Sequence, residues 1–222
     1  MKKIEIACFS LDSALVAAQS NADRIEFCAD ANLGGTTPTI EDIQTLIQNS
    51  DKELMIMIRP RGGDFNYSDD EFEQMKSSIL EIKNLNVDGF VFGILNDENE
   101  IDIKRNKILL DLASPLKCAF HRAFDRTSDL EKSLEIVIEI GFNTILTSGL
   151  KSNVNEGIEN LRTLVKLSNN RIDIMPGGGL RSANIQSINN RTNANYFHSS
   201  ALVDDSGIAN LDEINQLKTL IN

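Results

Sequence analysis

The sequence predicts one domain of eight strand–helix units closed into a parallel barrel, and three observations carry that prediction. Short apolar, β-branched runs begin near Ile4, Arg24, Leu54, Gly89, Lys117, Thr144, Ile172 and Asn195. Their spacing, roughly 25–30 residues, is what a strand, a helix and two loops need. Amphipathic segments fill the intervals, and polar residues gather where the apolar runs end, which is where α/β folds place their binding sites. Eight units in one small domain read as a (β/α)8 TIM barrel spanning residues 1–222. An open doubly wound sheet is the alternative, but its usual Gly-x-Gly-x-x-Gly after the first strand is absent.

Taken in order, the run from Ile4 leads to a helix over 13–21, and the run from Arg24 to a helix over 39–49. Thr39-Ile40-Glu41-Asp42 supplies a capping oxygen and negative charge to that second helix start. Leu54-Met55-Ile56-Met57-Ile58 is the third strand, followed by a helix over 69–85 that opens on Ser68-Asp69-Asp70-Glu71. The run from Gly89 precedes a helix over 103–112. Cys118-Ala119-Phe120 precedes one over 129–140, started by Ser128-Asp129-Leu130-Glu131. Thr144-Ile145-Leu146-Thr147, Ile172-Asp173-Ile174-Met175-Pro176 and the run from Asn195 complete the set, with helices over 155–168, 182–189 and 211–221.

Composition narrows the function classes. With 222 residues and 41% hydrophobic content the chain buries a substantial single core. A net charge of −11 argues against nucleic acid and anionic membrane as partners, since both need clustered Lys and Arg. Glu5 interrupts the start where a signal peptide would continue its apolar core, and no apolar run reaches a membrane span, so a cytoplasmic location is expected. Cys8, Cys28 and Cys118 lack disulfide spacing, consistent with a reducing compartment.

The loops after the strands carry the chemistry. Ile58-Arg59-Pro60-Arg61-Gly62-Gly63-Asp64-Phe65 loads one strand end with two guanidinium groups and a carboxylate. His121-Arg122-Ala123-Phe124-Asp125, Ser148-Gly149 and Gly177-Gly178-Gly179 repeat the construction. Planar guanidinium forks suit carboxylate or phosphate, so Arg59, Arg61 and Arg122 are expected to bind a small anionic substrate. Glu5, Asp64 and Ser148 are grouped with them, as are Gly177, Gly178 and Gly179, whose backbone N–H groups precede a helix. Asp64 is expected to pair with Arg59 or Arg61, and 62–67 to form either a lid or a packed loop. His121 and His198 are the only histidines and both fall at strand ends. They are candidate general acids or bases, with Asp125, Glu26 or Glu5 orienting the imidazole. Strand alternation places Glu5, Glu26 and Cys28 inside the barrel and turns Cys8 outward.

These residues also carry a resemblance. Ala22 to Cys28, Gly34-Gly35-Thr36-Thr37-Pro38, Ile58 to Phe65 with Tyr67-Ser68-Asp69, Phe120 to Asp125, Leu146 to Gly149, Met175 to Gly179 and Phe197-His198-Ser199-Ser200-Ala201 resemble the CutC family. The resemblance implies a cytosolic TIM barrel associated with copper homeostasis, with Cu(I) as a bound ion and a homodimer as the assembly. Two departures stand out: members commonly read Glu-Val-Cys on the first strand where this chain has Glu5-Ile6-Ala7, and the segment after Ala201 is shorter. Cu(I) favours sulfur ligands, which leaves Cys28 as the metal candidate, with Met55, Met57 or a histidine as partner.

Overall fold

A computed structural model describes residues 1–222 and shows eight parallel strands alternating with eight major helices. The strands are β1 (Lys3–Cys8), β2 (Arg24–Phe27), β3 (Glu53–Met57), β4 (Gly89–Phe92), β5 (Lys117–Phe120), β6 (Thr144–Thr147), β7 (Asp173–Pro176) and β8 (Tyr196–Ser199). The helices are α1 (Leu11–Ala18), α2 (Ile40–Gln48), α3 (Asp69–Ile82), α4 (Ile103–Ala113), α5 (Leu130–Ile140), α6 (Ile158–Ser168), α7 (Ser182–Thr192) and α8 (Leu211–Ile221). From β1 to β7 each strand ladders with the next in sequence, and β8 returns to β1, pairing Glu5 with His198. β7 lies against β8 across a seam that lacks ladder hydrogen bonds. The expected (β/α)8 architecture is what forms.

Local chemistry sets most helix starts. Ser68 and Glu71 cap α3 reciprocally, and Thr39 and Asp129 accept from the backbone N–H groups of Asp42 and Lys132. The first helix starts earlier than the pattern suggests because Ser10, accepting from the Ser13 N–H at 3.2 Å, is the cap. α6 starts later, at Ile158, with no side chain capping Gly157.

Strand alternation divides the barrel wall into two packed faces. Ile4, Ile6, Cys8, Ile25, Phe27 and Ile56 pack outward against the helices in the main core. Cys28, Met55, Met57, Val91 and Ala119 pack together inside. Cys8 outward and Cys28 inward is the expected arrangement. Each fully buried Ile or Phe in the outer layer contributes roughly 1.5–3 kcal/mol, so the helix–barrel contact dominates stability. No helix is long and apolar enough to cross a membrane.

Candidate active site at the barrel mouth

A cavity of about 280 Å³ opens at the C-terminal ends of the strands. Glu26, Met57, Arg59, Phe65, His121, Arg122, Gly178, Gly179 and His198 line it, together with Arg181, Ser199 and Ser200. The two histidines therefore face one space, although they arise from β5 and β8.

Its floor is an acid–base network. Glu5, fully buried, accepts from Arg24 Nε at 2.5 Å and pairs with His198 Nδ1 at 2.8 Å. Burial opposes the charge on Glu5, but Arg24 and His198 together outweigh it and hold its carboxyl below the usual value. For His198, burial again opposes the charge, while the carboxylates of Glu26 and Glu5 raise its pKa. Glu26 differs, because burial dominates and pushes it up to about 7, with His198 the main opposing influence. Its Oε2 is buried without a hydrogen-bond partner. A carboxyl group titrating near neutrality at a cavity wall is poised for proton transfer.

His121 is held differently. Burial, then the Arg59 guanidinium, lower its pKa to about 3, so the imidazole is neutral. Its Nδ1 accepts from the Ala123 N–H at 3.3 Å, which puts the ring proton on Nε2. Nε2 is buried and unpartnered. Phe65 covers this corner, its ring 4.7 Å from the His121 ring and 5.0 Å from the Arg59 guanidinium. The 62–67 loop is thus a packed roof, pinned where the Leu95 N–H bonds the Phe65 carbonyl.

Several expected site residues tie the loops together. Arg59 donates to the carbonyls of Leu33, Gly35 and Gly63, which leaves Nε without a partner. Arg61 points away from the cavity and binds Glu71 and exposed Asp64, at 2.6 and 2.9 Å. Asp125 touches neither histidine. It accepts from Thr147, from the backbone of Ser148 and Leu150, and from Arg122, which makes it a latch between two loops. Ser148 lies beneath the surface, donating to Lys151 O and accepting from Arg122. Glu5 lies below the cavity as the orienter of His198 rather than a contact for substrate. Gly177 is also below it: a Cβ there would meet Leu146 at 2.4 Å and His198 at 3.1 Å, so close packing needs the glycine.

Arg181, Ser199 and Ser200 were not anticipated as cavity residues. Arg181 precedes α7 and reads as a helix-start residue, but its guanidinium folds back onto the Leu180 and Leu202 carbonyls and the two serine hydroxyls. The polar pair Ser199-Ser200 at a strand end was the available signal.

The comparisons with known proteins agree with the barrel fold. A model of the CutC family matches residues 2–203. The chain belongs to the CutC family. It is 41% identical over 206 residues to the copper homeostasis protein cutC homolog of Homo sapiens, covering 92% of this chain and 76% of that protein. A family protein CutC of Proteus mirabilis is 42% identical over 186 residues, 84% of this chain and 74% of that one. The crystal structure of the copper homeostasis protein CutC from Streptococcus agalactiae superposes with a TM-score of 0.86 at 34% identity, covering 90% of this chain and 99% of that one. Phosphoribosyl anthranilate isomerase from Thermococcus kodakaraensis superposes with a TM-score of 0.67 at 13% identity, a likeness of fold alone.

The interior of this CutC family member holds no two-thiolate site for Cu(I). Cys28 is the one thiol facing the barrel interior near the mouth, and burial with Glu26 beside it pushes its pKa well above the usual value. Its Sγ lies 3.4 Å from Glu26 Oε1. Cys8 is on the outer face, its thiol pushed up to about 12 by burial, and Ala7 occupies the cavity wall. Met55 and Met57 supply thioethers to the interior cluster but no second thiolate. Nor do Glu5, Glu26 and His198 read as a cation cage, although their ligand atoms lie within 4.8 Å. Both Glu5 oxygens are already engaged, by Arg24 Nε and His198 Nδ1.

Proposed function

We propose that this CutC family member binds a small anionic molecule, phosphorylated or carboxylated, in the barrel-mouth cavity and transfers a proton there. One observation carries the reading: Glu26 and His121, whose Oε2 and Nε2 atoms are buried and unpartnered, stand in the wall of a cavity that Arg122 and Arg181 also line. An unmet buried acceptor and an unmet buried donor are costly in a pure scaffold. A bound ligand relieves both. His198, positioned by Glu5, is the second proton-exchanging group. Relatives named as copper homeostasis proteins support a place for this chain in copper homeostasis. In this reading the mouth cavity, rather than a Cu(I) ion on Cys28, is the working site.

Calorimetric titration near pH 7 with small phosphates and carboxylates tests the proposal. Saturable binding with Kd below about 1 mM, equivalent to about −4 kcal/mol, is expected for at least one anion. Arg122→Ala should weaken it about ten-fold or more. If no anion binds the wild type saturably, the proposal fails.

A further inference from the structure

The seam between β7 and β8 offers a set of free hydrogen-bond donors. The backbone N–H groups of Gly178, Gly179 and Ser200 bond to no acceptor within the protein, and all three residues line the cavity. Arg122 uses Nε on Asp125 and Nη2 on Ser148, which leaves Nη1 free. That nitrogen lies 3.1 Å from where a Gly178 Cβ would sit, so guanidinium and bare backbone face the same small volume. Gly178 has φ +97°, a conformation that side chains adopt poorly. Several backbone N–H groups beside a guanidinium and before a helix form a receptor for a tetrahedral dianion.

The orphaned atoms elsewhere in the cavity supply what a reaction needs. A neutral imidazole N–H, on His121, suits a carbonyl oxygen that gains negative charge. An unpartnered carboxyl oxygen, on Glu26, suits a C–H proton. We infer that the cavity enolises a small phosphorylated carbonyl compound: the phosphate rests on Gly178, Gly179, Ser200 and Arg122, the carbonyl oxygen accepts from His121 Nε2, and Glu26 exchanges the proton. The inference rests on the anion-binding reading above and specifies its substrate class.

The step balances without a further reactant. Ionised Glu26 takes the proton from the carbon next to the carbonyl, and the C–H bonding pair becomes the new C=C bond. The former C=O π pair moves to oxygen, where His121 Nε2–H stabilises it. Returning the proton to the neighbouring carbon, with an accompanying O–H proton shift that His198 can relay, gives an isomer of the substrate.

Proton NMR in D2O tests this with dihydroxyacetone phosphate and ribulose 5-phosphate beside unphosphorylated dihydroxyacetone and ribulose. Calorimetry with 2-phosphoglycolate, an enediolate mimic, runs in parallel. Deuterium should enter at the carbon next to the carbonyl of a phosphorylated probe at least about ten-fold faster than for its unphosphorylated counterpart. Glu26→Gln should slow exchange by about 100-fold or more while binding 2-phosphoglycolate within a few-fold of wild type. Gly178→Ala should lose that binding. If circular dichroism shows the Gln variant misfolded, Glu26→Asp, which keeps the charge but withdraws it, takes its place. Binding of 2-phosphoglycolate with no probe exchanging above the Glu26→Gln level overturns enolisation and leaves anion binding standing. Failure of 2-phosphoglycolate, phosphates and carboxylates all to bind overturns both.

Discussion

Glu5 Oε1 lies 2.8 Å from His198 Nδ1 while Oε2 accepts from Arg24 Nε at 2.5 Å, so one buried carboxylate joins β1 to both neighbouring strands. Removing its charge leaves the Arg24 guanidinium, almost fully buried, without its principal counter-ion. Breaking a buried pair from one side costs about 3–5 kcal/mol, mostly through the charge left behind. Glu5→Gln should destabilise the fold by that order in urea denaturation. It should also lower the His198 pKa, since Glu5 is one of the groups raising it. A His198 titration by NMR that does not move would show that Glu5 does not tune the imidazole.

The raised pKa of Glu26 makes stability depend on pH in a definite direction. The ordinary value is 4.5 and the folded value about 7, so the folded state holds this proton more tightly than the unfolded state. Its contribution is present in full below the ordinary value and lost as pH rises through the folded one. The groups facing Glu26 are His198 from β8, Glu5 from β1, and Arg24 and the Cys28 thiol from its own strand region. His198, also raised, changes stability in the same sense, whereas lowered His121 gives stability that is lost as pH falls from 6.5 toward about 3. Glu26→Gln removes one of these titrating groups. The wild type should lose about 3 kcal/mol relative to that variant between the two Glu26 pKa values. A flat difference between urea midpoints across this range would contradict the assignment.

What was legible in the sequence follows from how local each cause is. Strand alternation is a property of adjacent residues, so Glu5, Glu26 and Cys28 inside and Cys8 outside could be read directly. The strand starts were legible for the same reason. Side chains on the loops were harder, because their direction depends on how two loops pack. Arg61 and Asp64 find each other and Glu71 outside the cavity, and Asp125 closes a loop junction rather than orienting a histidine. Arg181 is the converse: the β8 strand end, nearly twenty residues later in the chain, draws its guanidinium into the mouth.

Copper coordination by Cys28 has a direct test. An anaerobic Cu(I) competition titration against a chromogenic chelator compares wild type with Cys28→Ala. With a single protonated thiol next to Glu26 and no second inner thiolate, the two proteins should compete equally. Wild-type binding with Kd below about 1 nM that collapses in the variant would restore Cu(I) to the site.

Arg59 and Arg122 both line the cavity, but their hydrogen-bond partners differ. Arg59 is buried and donates to the carbonyls of Leu33, Gly35 and Gly63, which join the loop after β2 to the loop after β3. Hydrogen bonds from a charged donor are worth about 1.5–3 kcal/mol, and losing this one side chain orphans three acceptors. Arg59→Ala should therefore lower stability by about 3 kcal/mol and make the 62–66 segment sensitive to limited proteolysis. Arg122 is 41% exposed and keeps Nη1 free at Gly178. Its pairing with Asp125 near the surface is worth about 1 kcal/mol or less, so Arg122→Ala should leave the urea midpoint nearly unchanged while weakening anion binding about ten-fold. The two variants separate folding from binding at one mouth. Equal losses of stability in both would mean that Arg122, like Arg59, holds loops together and that the anion contact lies elsewhere.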